Sequence, residues 1–247
     1  MSWCDKLASQ PSVGLQLDPY YGGNETIMTR LAPLVAKWGT PEKPQFSIEV
    51  PDIYRVNIQR ENGFLYSFDA LKAFVQFQHR MKLKPVSGDL PVAELISSSK
   101  IYTSLLDEAI ELLIESSILL PESGKRHVRR IGIVTTTVVS EEDLPPGIAK
   151  FIKYMGSPWK GDLDHYNFNI TAKLNDDNNF TDRCIHHLIK PEDTEALLTI
   201  KFDWQRILKK PIPLTEHELK RHCSSAKDGA LRYFEELAEG DAFDAGA

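Results

Sequence analysis

Asp162, Asp164, His165, His186, His187 and Asp203 are the residues whose types suit chemistry. They fall on and around a segment that alternates like a β-hairpin, so carboxylates and imidazoles could converge across neighbouring strands, hold a divalent ion and activate water. Asp162, Asp164 and His165 precede one strand, His186 and His187 lie in the next, and Asp203 lies in a third. The histidines are adjacent, and side chains alternate across a strand, so one must face the core and the other must face away. If Leu174 pairs with Phe180, His186 lies opposite Phe168 on the core side. A tight turn between Ile189 and Ala196 would give the next strand the opposite parity, so the pattern leaves open which histidine is buried. Asp162, Asp164, His165, His187 and Asp203 are then the candidate catalytic set. Their spacing is neither helical nor Cys-x-x-Cys-like, which leaves the plainer reading ahead: one core histidine, one exposed histidine and no metal site.

Lys125, Arg126, His127, Arg129 and Arg130 make the compact basic run, and Arg126, Arg129 and Arg130 are candidates for gripping a phosphate or an acidic partner. The competing reading is a solvated loop entering a strand, with Arg129 and Arg130 on opposite faces. Motifs with a defined mechanism are missing. The chain has no Gly-x-Ser-x-Gly elbow, no phosphate loop, no dinucleotide fingerprint and no His-Glu-x-x-His. No cofactor is expected. Cys4, Cys184 and Cys223 are odd in number, widely spaced and without zinc-ligand spacing; Cys184 and Cys223 lie on apolar stripes and read as inert core thiols. Phe64, Tyr66, Phe68, Phe74 and Phe77 are either a core or a platform for stacking bases.

The elements that would position these groups can be read from periodicity. Val13, Leu15 and Leu17 alternate as a strand, and Asn24 is placed to cap a helix carrying Ile27, Leu31, Leu34, Val35 and Trp38, with Pro33 inside it. Three strands are predicted at Tyr54–Ile58, Phe64–Phe68 and Leu71–Arg80, with a short extended stretch at Phe46–Ile48 before them. A helix over Thr103–Ser116 closes the first half. The second half repeats that order: a strand at Val128–Val139, a short helix after Pro145-Pro146-Gly147, strands at Tyr166–Leu174, Phe180–Ile189 and Leu197–Gln205, and a helix over Thr215–Leu237. Thr215 and Glu218 have the spacing of a capping box. Gly240–Ala247 reads as a frayed tail. The expected domains are residues 1–123, 124–239 and the tail 240–247, and the repeat is one of element order, not of sequence identity. The fold class is α+β: two strand–helix–three strands–helix units forming antiparallel sheets with helices on one face, in the manner of the TATA-binding protein or a helix-grip fold.

Composition narrows the functional classes. The chain has 247 residues, 42% hydrophobic and 26% charged, with a net charge of −6. Residues 1–123 hold 11 Lys/Arg and 15 Asp/Glu and the remainder hold 18 and 20, so neither half is basic and generic nucleic-acid binding is disfavoured. The first residues lack a signal-peptide pattern and no apolar run approaches a membrane span, so a cytoplasmic protein with no membrane partner is expected.

Three stretches resemble a sporadically distributed prokaryotic family of similar length and uncharacterised function. His127-Val128-Arg129-Arg130-Ile131-Gly132-Ile133 is similar to that family's Arg-Ile-Gly-Leu strand after the first long helix. Ala196-Leu197-Leu198-Thr199-Ile200-Lys201-Phe202-Asp203 resembles its late apolar strand, and Ala226–Leu237 its closing helix. Relatives follow the first motif with Arg-Tyr-x-Asn, where this chain has Val134-Thr135-Thr136-Thr137, so any site built there is altered here. The resemblance implies a fold and a prokaryotic setting and carries over no catalytic residue. The order of elements also resembles the duplicated saddle of the TATA-binding protein, a likeness of fold alone. The expected function is a non-catalytic binding or regulatory protein acting through a protein partner, in a defence or toxin-neutralising context; an enzyme is less favoured. The alternatives are a metal-dependent hydrolase or nuclease using the Asp/His set, and a nucleic-acid module on a concave sheet.

Overall fold

The computed structural model describes residues 2–40, 43–44, 46–84, 92–97, 99–158, 160, 163–192 and 197–243. Nine strands form one antiparallel sheet: β1 (Gln10–Leu17), β2 (Phe46–Asp52), β3 (Arg55–Arg60), β4 (Phe64–Phe68), β5 (Lys72–Phe77), β6 (His127–Val139), β7 (Tyr166–Asp176), β8 (Phe180–Lys190) and β9 (Leu198–Pro213). The spatial order is β7-β8-β9-β6-β1-β5-β4-β3-β2. Each half therefore lays its last strand beside its first, and the two first strands, β1 and β6, join the halves edge to edge. Where two sheets were expected, the halves share a single continuous one. Two short ribbons, Gly39–Thr40 with Lys43–Pro44 and Met81–Lys84 with Val92–Leu95, stand outside it.

Helices α1 (Trp3–Lys6), α2 (Asn24–Val35), α3 (Tyr102–Ser117), α4 (Pro146–Gly156) and α5 (Glu216–Glu239) pack on one face. The reason lies in strand parity. Along β1, Val13, Leu15 and Leu17 are buried while Ser12, Gly14 and Gln16 are half-buried on the other side. Val13 pairs with Val75 and Ile133, so the apolar stripe runs across strands and makes a floor for α3 and α5. Trp3, Phe202 and Phe234 meet edge-on and stacked between that floor and the helices, and Trp38 sits against Tyr66 in the first half. No helix among the described residues is long and apolar enough to cross a membrane.

Several local details differ from the sequence reading. Asn24 opens α2 without capping it: Gly23, at φ +81°, is the cap residue, and the Asn24 amide donates to Asp52 O. Thr215 and Glu218 form no capping box; Glu218 turns instead to Arg221. The box that does form is Ser2/Asp5 on α1. Asp5 also accepts hydrogen bonds from the backbone N–H and hydroxyl of Thr103, capping α3 from another helix because Ile101 offers no side-chain acceptor. Burial pushes the Asp5 carboxyl up, yet these bonds outweigh it and hold it below the usual range. The fifth strand is shorter than Leu71–Arg80, and β9 runs on to Pro213. Within the tail, the Phe243 ring stacks on Phe151, 5.3 Å between centroids.

Candidate functional site

The sheet face opposite the helices carries the more polar half of the alternation in β1, β5 and β9, whereas in β6 Thr135 and Thr137 are buried toward the helices and Val134 is on the open face. One row across it runs Ser67, Phe74, Gly14, Gly132, Gln205, Arg183, Lys173, each paired with the next. Gly14 and Gly132 lie at its centre and leave a shallow trough of about 420 Å³ running along β1 and β6. Gln10, Ser12, Gln16, Gln76, Thr136 and Val134 line it, with Phe74 on one wall and Asp203 and Gln205 on the other.

The Gln205 wall is held by a connected network. Gln205 is 5% exposed; its Oε1 accepts Arg130 Nη1 at 3.0 Å and Arg183 Nε at 2.9 Å, while its Nε2 donates to Asp203 Oδ2 at 2.7 Å. One buried amide thus orients two guanidinium groups and a carboxylate, each keeping polar atoms free for a ligand. Lys72 pairs with Gln16 at one end of the trough, and Lys201 pairs with Thr136 at the other. Around the trough the open face carries Lys72, Arg130 and Lys201, with Arg183 one strand further out on β8, against one carboxylate, Asp203, although the whole chain has a net charge of −6. The cations gather around the trough, while Glu49 and Asp176 lie on the outer strands of the same face.

The structure disperses the candidate catalytic set. Asp162 lies outside the described residues. Asp164 and His165 are exposed before β7, at the sheet edge. His187 is on the open face, opposite Asn169 and Lys201, and Asp203 sits two positions along β9 from Lys201. Among the described members, Asp164 and His165 stay together at the edge, and His187 and Asp203 lie on neighbouring strands β8 and β9, away from that edge pair. Among the described residues no group of three His, Cys, Asp or Glu is placed to hold a metal. His186 faces the helices, opposite Ile170 and not Phe168: the hairpin starts its register at Asp176 with Thr181, and a one-residue shift between Lys173 and Asn175 follows. Its Nε2 lies 3.0 Å from the Tyr233 hydroxyl, and burial, with a smaller effect from His187, pushes its pKa down to about 4.

The three basic candidates part company. Arg126 is 5% exposed and donates to Asp18 O twice and to Ala70 O, tying the start of β6 to the turn between β4 and β5. Arg129, at a bulge, donates to the Asp18 carboxylate, which also accepts from His127. Arg130 alone reaches the trough. Of the five aromatics, Phe64, Tyr66, Phe68 and Phe77 are core, and Phe74 faces the trough. All three cysteines are buried, and burial pushes the Cys223 thiol up to about 12 and those of Cys4 and Cys184 higher still.

Gln205, Arg183 and Lys72 escaped the sequence reading. Strand parity was the signal that could have found them: Lys201, Asp203 and Gln205 alternate with buried Phe202 and Trp204. The buried pair Asp182–Arg206 was also missed. It is a bidentate ion pair at 2.8 Å, with Arg206 further held by Ser225 and lying over the Phe180 ring, and it anchors α5 to the sheet. Comparison with protein-family models, curated proteins and solved structures returns no match to this chain.

Proposed function

We propose that this chain is a non-catalytic binding protein that holds a protein partner on the open face of its sheet. The observation that carries this reading is the cluster of charge at the trough: Lys72, Arg130, Lys201 and the neighbouring Arg183 stand around one carboxylate, Asp203, in an otherwise acidic chain. A half-buried, pre-ordered surface of that kind attracts an acidic partner and fixes its register. The two halves are read as a duplicated unit. Val13-Gly14-Leu15 and Ile131-Gly132-Ile133 are equivalent in their halves and pair with each other at the seam. The resemblance to a sporadic prokaryotic family adds the cytoplasm of a prokaryote, and defence or toxin neutralisation, as the setting in which to seek the partner.

The test is capture from extract of the native host with the wild-type chain and with Arg183→Glu/Lys201→Glu. A partner retained by the first and lost by the second supports the reading. Equal retention by both, or a metal-dependent turnover that His187→Ala or Asp203→Ala abolishes, overturns it. A second reading, nucleic-acid binding, is favoured by Phe74 standing among the same cations, since an aromatic beside Lys and Arg suits a stacked base. It predicts retention of nucleic acid with a steep salt dependence.

A further inference from the structure

We propose that the trough over Gly14 and Gly132 is a docking groove for an extended acidic segment of the partner, with a carboxylate near each end. This rests on the open-face reading and names what that face recognises. Length is the first argument. The trough follows β1 from Gln10 to Gln16, roughly 20 Å at about 3.3 Å per residue, the span of about six residues in extended conformation. Charge is the second. Lys72 lies beside Gln16 and Arg130 at one end, and Lys201 lies beside Thr136 and Gln10 at the other, so the cations stand at the two ends of one line.

The lining between the ends is the third argument. Gln10, Ser12, Gln16, Gln76 and Thr136 are half-buried, and among the described residues none of their side chains hydrogen-bonds to another protein group. Amides and hydroxyls both donate and accept, which matches the alternating N–H and C=O groups of an extended peptide. Gly14 and Gly132 let that backbone approach the floor closely. A nucleic acid fits less well, because Phe74 is a lone aromatic where successive bases need several, and Asp203 at mid-trough repels phosphate.

The experiment is selection of a displayed library of random linear peptides on the purified full chain, followed by titration of a synthetic winner. The expected result is enrichment of sequences with Asp or Glu at two positions about five residues apart. Lys72→Glu and Lys201→Glu, both at exposed positions, each weaken the winner about tenfold while circular dichroism stays unchanged. No enrichment, winners without paired acids, or affinity unchanged in both variants overturns the proposal. Oligo-deoxythymidine serves as competitor: if it binds and responds to the same variants while acidic peptides do not, the groove is a nucleic-acid site and the proposal fails. In any of these failures, loss of the host partner with Arg183→Glu/Lys201→Glu keeps the open-face reading standing, and retention of the partner sinks both.

Discussion

Gly14 and Gly132 face each other across the central strand pair, but their surroundings differ. A Cβ on Gly14 would meet Phe74 Cβ at 3.0 Å, whereas one on Gly132 meets nothing closer than Asp203 Oδ1 at 3.9 Å. Phe74 Cβ sits next to its own backbone and has little room to give. Gly14→Ala is therefore expected to cost about 1 kcal/mol, and Gly132→Ala to stay within about 0.5 kcal/mol of the wild type, both read by urea denaturation.

A second glycine is fixed by close packing between helices. A Cβ on Gly147, in the first turn of α4, would fall on Leu237 O and Gly240 N at the C-terminus of α5. Those are backbone atoms and cannot turn aside. Gly147→Ala is expected to undock α4 and cost at least about 3 kcal/mol, with a lowered urea midpoint and faster exchange of the α4 amides.

The cap that Asp5 gives α3 predicts a graded loss. Asp5→Ala removes acceptors from Thr103 and from the Ser2 backbone and should cost about 1–2 kcal/mol, while Asp5→Asn keeps a side-chain oxygen and should cost less than half of that. Thermal melting of the two variants side by side checks the order.

His186 makes stability depend on pH in a defined direction. Its folded pKa, about 4, lies below the unfolded value of 6.5, so the unfolded chain takes up the proton first. The neutral, buried form is fully favourable above about pH 6.5, and the contribution is lost as pH falls from there through about 4. At about 1.4 kcal/mol per pKa unit, the full loss is on the order of 3–4 kcal/mol. The ring lies against Tyr233 and Phe202, with His187 next to it in the chain. His186→Phe should flatten the decline in urea midpoint between pH 6.5 and 4; an unchanged slope would assign the acid sensitivity elsewhere.

Periodicity carried most of the fold, because burial on one face imposes it directly. The stripes of α3 and α5 and the alternation of β1, β6 and β9 are visible in their residues, and the elements lie where those stripes put them. Pairing was not legible. That β1 meets β6, and so that Gly14 meets Gly132, depends on contacts between residues more than a hundred positions apart. Caps failed for the same reason: α3 takes its acceptor from Asp5, and the Thr215 side chain, despite good spacing, makes no capping hydrogen bond at its helix start. In the site, residue type drew attention to Asp164, His165 and His187, while Gln205, an uncharged residue, is the one that organises the network. Arg126 shows the converse, a charge in a basic run that serves as a buried backbone clamp.

The central claim is that the partner sits on the open face of the sheet, and lysine footprinting of the captured complex tests it most directly. Lys72 and Lys201 lie on that face, whereas Lys150 and Lys220 are exposed on α4 and α5 on the other side. Acetylation rates read by mass spectrometry should fall several-fold at Lys72 and Lys201 on complex formation and stay unchanged at Lys150 and Lys220. Protection at Lys150 and Lys220, with Lys72 and Lys201 labelled as in the free chain, would contradict the account.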